Sequence, residues 1–292
     1  MPAGPISTRD QVPGSLHFLN ARDGIYSSQT DAFVTHDGGV HWADARLHGG
    51  DLIITVTESQ AWAVFQPCPS GQSCASPVMY EARRSTDAGA SWSKPQALYG
   101  LAGGGLPEAV AFGGSGLLVA DRSSMEITTD GGTTWKSHWL PCTQSTASGI
   151  DIGTFDGREI WKSCTPSEFF ISQDAGASWS SAAGPWSVAE STSLNYGFLA
   201  TLIALGKGTA LVALWGGYLF LTSDGGATWA QVGPGPAELG RCGFIYARYF
   251  ERAGLWSDTC TTLPSQSGQV IWRSQDEGRT WSHLPPILLG SA

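Results

Sequence analysis

One short pattern, [S/T]-x-D-x-G-x-[S/T]-W, is written six times along the chain, with His41 at the second [S/T] position of the first copy, and no other feature constrains the fold as much. Its fifth copy reads "LTSDGGATWAQVG" from Leu221 to Gly233, and the others are Thr35/Asp37/Gly39/Trp42, Ser85/Asp87/Gly89/Trp92, Thr128/Asp130/Gly132/Trp135, Ser172/Asp174/Gly176/Trp179 and Ser274/Asp276/Gly278/Trp281. From one Asp to the next the steps are 50, 43, 44, 50 and 52 residues. Self-similarity at such a period marks solenoids and propellers, whose repeats cannot bury an apolar face alone and stack to hide it.

Within each period the same order returns: three apolar segments separated by turns, the third running into the Asp motif, and a short segment after the Trp. In the fifth unit these are "FLATLIAL", "GTALVALW", "YLFLTS" and "TWAQV", short β-rich runs punctuated by Gly. Four such runs make a four-stranded meander. The chain is therefore predicted to be all-β, a six-bladed β-propeller of four-stranded antiparallel blades in a single domain over residues 1–292. The blades are placed at about 14–46, 47–98, 99–140, 141–183, 184–233 and 234–290. Each motif falls in the turn between the third and fourth strands. There Asp37, Asp87, Asp130, Asp174, Asp224 and Asp276 fix the turn with Ser or Thr, Gly permits positive φ, and Trp packs between blades.

These six copies resemble the Asp box, or bacterial neuraminidase repeat, of sialidases, sortilin-type receptors and photosystem II assembly-factor-like propellers. Second-strand sequences such as "AWAVF" at Ala61 and "EIWKS" at Glu159 are similar to the Gly-Trp-Ala-Val strand of the assembly-factor-like group. Trp62, Trp161, Trp215 and Trp256 are read as equivalent blade-packing positions. The resemblance implies a fold, while one fold hosts many activities.

Several function classes recede on composition. A net charge of −9 with only 16 Lys and Arg disfavours a nucleic-acid surface. No apolar run approaches the ~20 residues of a membrane-crossing helix. The opening "MPAGPISTRDQVPG" has neither the basic start nor the apolar core of a secretory leader. Even so, six cysteines in neighbouring pairs fit an oxidising compartment, so an extracellular or periplasmic protein is expected, its leader already removed. Bridges Cys68–Cys74, Cys142–Cys164 and Cys242–Cys260 are expected, the alternative being free buried thiols. No His accompanies these cysteines at zinc-site spacing, so neither a metal nor a cofactor is expected.

In an up-and-down blade the Asp boxes share one face, here called the bottom, with the first-to-second turns. Ligand chemistry belongs at the other face, where loops vary on a rigid scaffold. All three expected bridges fall on that top face. The same register places Asp51, Lys162, Tyr80 and Trp139 there. It also gives weak catalytic candidates Glu108, Asp121, Asp151, Glu238 and Asp258, and ligand-binding candidates Arg122, Arg241, Tyr196 and Trp186. Carboxylates beside aromatic rings suit sugar recognition and, when paired across a glycosidic bond, acid/base hydrolysis.

The sialidase pattern implies an Arg-Ile-Pro motif and an Arg triad. The motif is absent, Arg122 and Arg241 offer two members of an anion clamp without an evident third, and Arg22-Asp23 falls in a bottom turn. "FGGSG" around Ser115 is not a nucleophile elbow, and "GLAGGGLP" lacks a phosphate-loop Lys. The first expectation is an extracellular, monomeric module binding a glycan or protein through its top face. A divergent glycoside hydrolase comes second and an assembly or scaffold factor third.

Overall fold

The structure, a computed structural model, describes residues 15–67, 79–101, 106–142, 151–165, 168–185, 199–214, 218–232, 246–250, 254–263, 266–276, 279–280 and 282–283. The described strands pair into four-stranded antiparallel sheets, each a meander in chain order, and no helix occurs among the described residues. The chain divides into two compact units, Met1–Leu140 and Pro141–Ala292.

In the first unit, one sheet holds β1 (Ser15–Phe18), β2 (Gly24–Ser27), β3 (Asp31–Thr35) and β4 (Ala43–His48). The next holds β5 (Gly50–Val56), β6 (Ala61–Gln66), β7 (Tyr80–Ser85) and β8 (Gln96–Leu98). The third holds β9 (Glu108–Phe112), β10 (Gly116–Ala120), β11 (Ser124–Thr128) and β12 (Lys136–Trp139). The first strands β1, β5 and β9 adjoin one another.

Strand alternation then distributes the core. Along β6, Ala61, Ala63 and Phe65 pack with Ile25, Val34 and Leu47 of the sheet before, while Trp62 and Val64 pack with Leu117 and Val119 of the sheet after. A strand covered on both faces reads as an uninterrupted apolar run, and β6 and β10 are buried at every residue. The outermost strand β12 is largely exposed, and β4 alternates exposed polar residues with buried Ala45 and Leu47.

The second unit repeats the plan. Its sheets hold β13 (Asp151–Thr154), β14 (Ile160–Thr165), β15 (Glu168–Ser172) and β16 (Ser180–Ala182), then β17 (Leu199–Gly206), β18 (Thr209–Leu214), β19 (Tyr218–Thr222) and β20 (Ala230–Val232). The last holds β21 (Tyr246–Phe250), β22 (Gly254–Leu263), β23 (Gln266–Ser274) and β24 (Ser282–His283). Trp161, Phe169 and Ile171 pack with Leu202, Val212, Phe220 and Trp229 of the following sheet.

Each Asp box joins the third strand of a sheet to the fourth, and its bonds repeat from copy to copy. In the third sheet Thr128 Oγ1 donates to Asp130 Oδ1 at 2.9 Å and accepts from Gly132 N at 3.0 Å. Thr134 N and Oγ1 donate to the two Asp130 oxygens at 2.9 and 2.6 Å. Those donors, the Thr134 hydroxyl first, hold the Asp130 carboxyl down at about 2. Asp224, bonded in the same way to Thr228, is also held at about 2. In the first copy His41 replaces the second Ser or Thr, and its ring Nδ1 meets Asp37 Oδ2 at 2.6 Å.

In the first five boxes the two residues after the Asp adopt left-handed backbone: Gly131 and Gly132 have φ of 75° and 88°. Ala88 and Ala175 adopt φ of 55° and 62° at the position Gly131 fills. That position also ties the box to the first hairpin of its sheet, with Gly38 N on Arg22 O, Gly131 N on Ser115 O, Ala175 N on Arg158 O and Gly225 N on Gly208 O. Arg22 therefore sits in a bottom turn.

The box Trp reaches the neighbouring sheet, as the sequence predicts. Trp135 meets Trp62 edge-on with centroids 6.3 Å apart, and Trp229 meets Trp161 at the same distance. One equivalence needs correcting. Pairing to the Ser or Thr that opens the box aligns Trp62, Trp161 and Trp256, and gives Leu211 in the fifth sheet. Trp215 lies beyond β18, outside the described residues.

Candidate functional site

Of the expected bridges, Cys142–Cys164 is formed, with Cα atoms 5.2 Å apart. It ties the segment before β13 to the top end of β14. Cys68, Cys74 and Cys242 lie outside the described residues, as do Glu238, Arg241, Tyr196 and Trp186, and the side chains of Asp151, Asp258 and Cys260 are not described.

The described candidates concentrate at the top of the first unit. Asp51, the second residue of β5, has a left-handed φ of 53° within a register shift of the β5–β6 ladder. Its Oδ2 accepts from Gln66 Nε2 at 2.6 Å and from the Tyr80 hydroxyl at 3.3 Å, and Gln66 Nε2 also donates to that hydroxyl oxygen at 3.1 Å. Burial, with Asp51 and Asp121 nearby, pushes the Tyr80 phenol above its ordinary range. Asp121 is only 1% exposed. Its Oδ1 accepts from Ser123 N, Ser124 N and Ser124 Oγ at 2.8 to 2.9 Å, so this carboxylate closes the β10–β11 turn. Glu108 pairs with Ala120 just before that turn, and Arg122 is exposed at its tip. In the second unit Lys162 is buried in β14, with its ammonium on the Ser163 carbonyl.

Three residues that sequence reasoning missed carry much of the local organisation. Glu126 sits between Met125 and Ile127 on buried β11, and its Oε1 accepts from Gly100 N at 2.6 Å and Ser137 Oγ at 3.1 Å. Burial raises its pKa, opposed by those two donors. The signal was a lone acidic residue in the apolar run "SMEIT".

Gln60 and Glu159 share one position ahead of the second-strand Trp. Gln60 Oε1 accepts from Trp62 Nε1 at 3.0 Å and Arg84 Nε at 2.7 Å, and its amide reaches Gly113 O in the next sheet. Glu159 accepts from Trp161 Nε1 at 2.9 Å, Gln173 Nε2 at 3.1 Å and Gly208 N of the next sheet at 2.8 Å. The signal was [Q/E]-x-W, present twice in "QAW" and "EIW".

Around this rim large rings stand in solvent: Tyr99 is 80% and Trp139 70% exposed. Among the described residues no group of three His, Cys, Asp or Glu is arranged to hold a metal. No helix among them is long and apolar enough to cross a membrane. Chemically the rim offers apolar and aromatic surface over carboxylates that already accept hydrogen bonds from the protein.

Repeat, sheet and turn together give this chain the fold of Asp-box (BNR) propellers, to which it is similar. The model of a family described as "Photosynthesis system II assembly factor YCF48" matches residues 108–240. No curated protein matches the sequence. A solved structure described as "YCF48 bound to D1 peptide" is similar at 17% identity and a TM-score of 0.57, over 92% of this chain and 79% of that one. YCF48 from Cyanidioschyzon merolae gives the same identity and TM-score, over 92% and 84%. Trypanosoma rangeli sialidase is 11% identical over 95% of this chain and 48% of its own, with a TM-score of 0.40, and carries no argument.

Proposed function

We propose that this chain is a protein-binding propeller of the assembly-factor kind, which holds an extended segment of a partner protein on its top face. This puts the third-ranked expectation ahead of glycan binding and of glycoside hydrolysis. The reading includes the six-bladed single domain expected from the repeats and an oxidising compartment, which the Cys142–Cys164 bridge favours.

The observation that carries it is the character of the rim. Asp121, one of the catalytic candidates, is engaged by the 121–124 turn, and the neighbouring rim acid Asp51 by Gln66 and Tyr80. Tyr99 and Trp139 meanwhile project into water. Exposed Trp and Tyr are the side chains that anchor protein–protein hot spots. Similarity to a YCF48 structure described as bound to a D1 peptide supports the same direction.

The test is an immobilised array of synthetic 12-residue peptides run beside a glycan array. Selective peptide retention, weakened by Trp139→Ala, is expected. Retention of glycans alone, or turnover of fluorogenic glycosides including sialosides, would overturn the proposal.

A further inference from the structure

The seam between the second and third sheets of the first unit holds an unusual buried acid. Glu126 pairs across the ladder with Val119 and Ser137, and Val119 packs with Trp62, Tyr80 and Leu98. That face of the third sheet therefore looks toward the second. Successive side chains on a strand alternate, so Trp139, two residues after Ser137, stands on the same face about 7 Å further up.

The opposite side comes from the chain leaving β8. Gly100 is pressed onto this face, its N–H on Glu126 Oε1, and a Cβ there would lie 2.5 Å from Ser137 Oγ. Tyr99 immediately precedes it. Glu126 itself is 4% exposed, and its second oxygen, Oε2, is buried without a hydrogen-bond partner.

A buried carboxylate oxygen without a donor is costly, and the group that relieves it best brings both N–H donors and positive charge. Exposed rings on the same rim favour the same ligand, because a cation is attracted to the ring face. A neutral apolar side chain would cover the rings and leave Oε2 unpaired. An anion would meet repulsion from Glu126, with Asp121 at the same rim. Lys136 and His138 alternate to the other face of β12, Arg122 lies at the turn tip, and Arg84 is bonded to Gln60 and Gly114 O.

We propose that the seam between the second and third sheets at Glu126, in the stretch of rim that carries exposed Tyr99 and Trp139, takes the ammonium or guanidinium group of a lysine or arginine in an extended partner segment. The inference rests on the protein-binding reading and names the side chain that enters. Because Oε2 is covered, entry displaces the Tyr99–Gly100 step.

The probes are immobilised host–guest peptides, acetyl-Gly-Val-X-Val-Gly-amide, with X as Lys, Arg, norleucine or Glu. The Lys and Arg members should bind about tenfold more tightly than the other two, the scale of a desolvated cation–π contact with a charge-assisted hydrogen bond. Glu126→Gln keeps the acceptor for Gly100 and Ser137, and should erase that preference. Exposed Trp139→Ala should weaken basic peptides while the fold, followed by circular dichroism, stays intact. Equal binding of all four guests, or a basic preference that survives Glu126→Gln, overturns the inference. Failure of the basic probes while the 12-residue array still retains peptides overturns it alone, and failure of every peptide overturns the protein-binding reading as well.

Discussion

Replacing Glu159 by Ala removes one buried carboxylate that three donors share, and the cost can be worked from those donors. Trp161 is fully buried, so its indole N–H loses its acceptor with no water to replace it, about 1–3 kcal/mol. Gly208 N and the Gln173 amide lie where water substitutes, so each loses only the net worth of its bond, about 0.5–1 kcal/mol. The sum is about 3 kcal/mol. Glu159→Gln should cost under about 1 kcal/mol, because the retained carbonyl oxygen still accepts and Gln60 performs this task natively in the second sheet. In a Trp161→Phe background the indole donor is gone, and the Glu159→Ala cost should fall by about 1–3 kcal/mol. Guanidinium unfolding at pH 7, followed by circular dichroism, measures the unmodified chain and the four variants. A Glu159→Ala loss within about 0.5 kcal/mol of zero, or a Gln variant as unstable as the Ala variant, would refute the reasoning.

Four further outcomes follow from the turns and the bridge. Gly132→Ala should destabilise by about 2–3 kcal/mol in the same unfolding assay: φ is 88°, and the new Cβ would lie 2.0 Å from Gln96 Oε1, itself an acceptor for Trp135 Nε1. Ala88→Gly and Ala175→Gly should instead be neutral or stabilising by up to about 1 kcal/mol, since relief of left-handed backbone outweighs the greater freedom of the unfolded chain. The Asp130 and Asp224 carboxyls are depressed, so their contribution is complete above the unfolded carboxylate range near 4 and disappears as pH falls toward about 2. Thermal melts between pH 5 and 2 should lose that dependence in part when Thr134→Val removes the hydroxyl donor. Reducing the Cys142–Cys164 bridge, whose partners are 22 residues apart, should cost about 3 kcal/mol by the chain-entropy estimate, read as a lower melting temperature in dithiothreitol and reproduced by Cys142→Ser.

The repeat made the strand order and the Asp-box turns legible, because Asp, Gly and Trp recur where the turn chemistry leaves little choice. Register was harder. In β18 the residues after Thr209 are all buried, so no polar alternation tells which of them faces Thr222, and Trp215 was read as the counterpart of Trp62. The polar braces escaped for a related reason. Gln60, Glu126 and Glu159 act through donors from elsewhere in the fold, Arg84, Gly100 and Gly208, and no local pattern announces those partners. Asp121 was legible as a rim acid, but the turn at 121–124 consumes its oxygen, which only the backbone geometry reveals. Tyr99 carried no signal beyond being aromatic; its exposure comes from where the chain leaves β8.

Photo-cross-linking tests the protein-binding reading most directly. A peptide retained by the array, rebuilt with a benzophenone side chain, is irradiated with the full chain and the adducts are mapped by mass spectrometry. Labels should fall on the top rim of the first unit, at or beside Tyr99 and Trp139, and should be lost when unmodified peptide competes. Labels confined to the Asp-box turns, or spread without competition over the surface, would contradict the account.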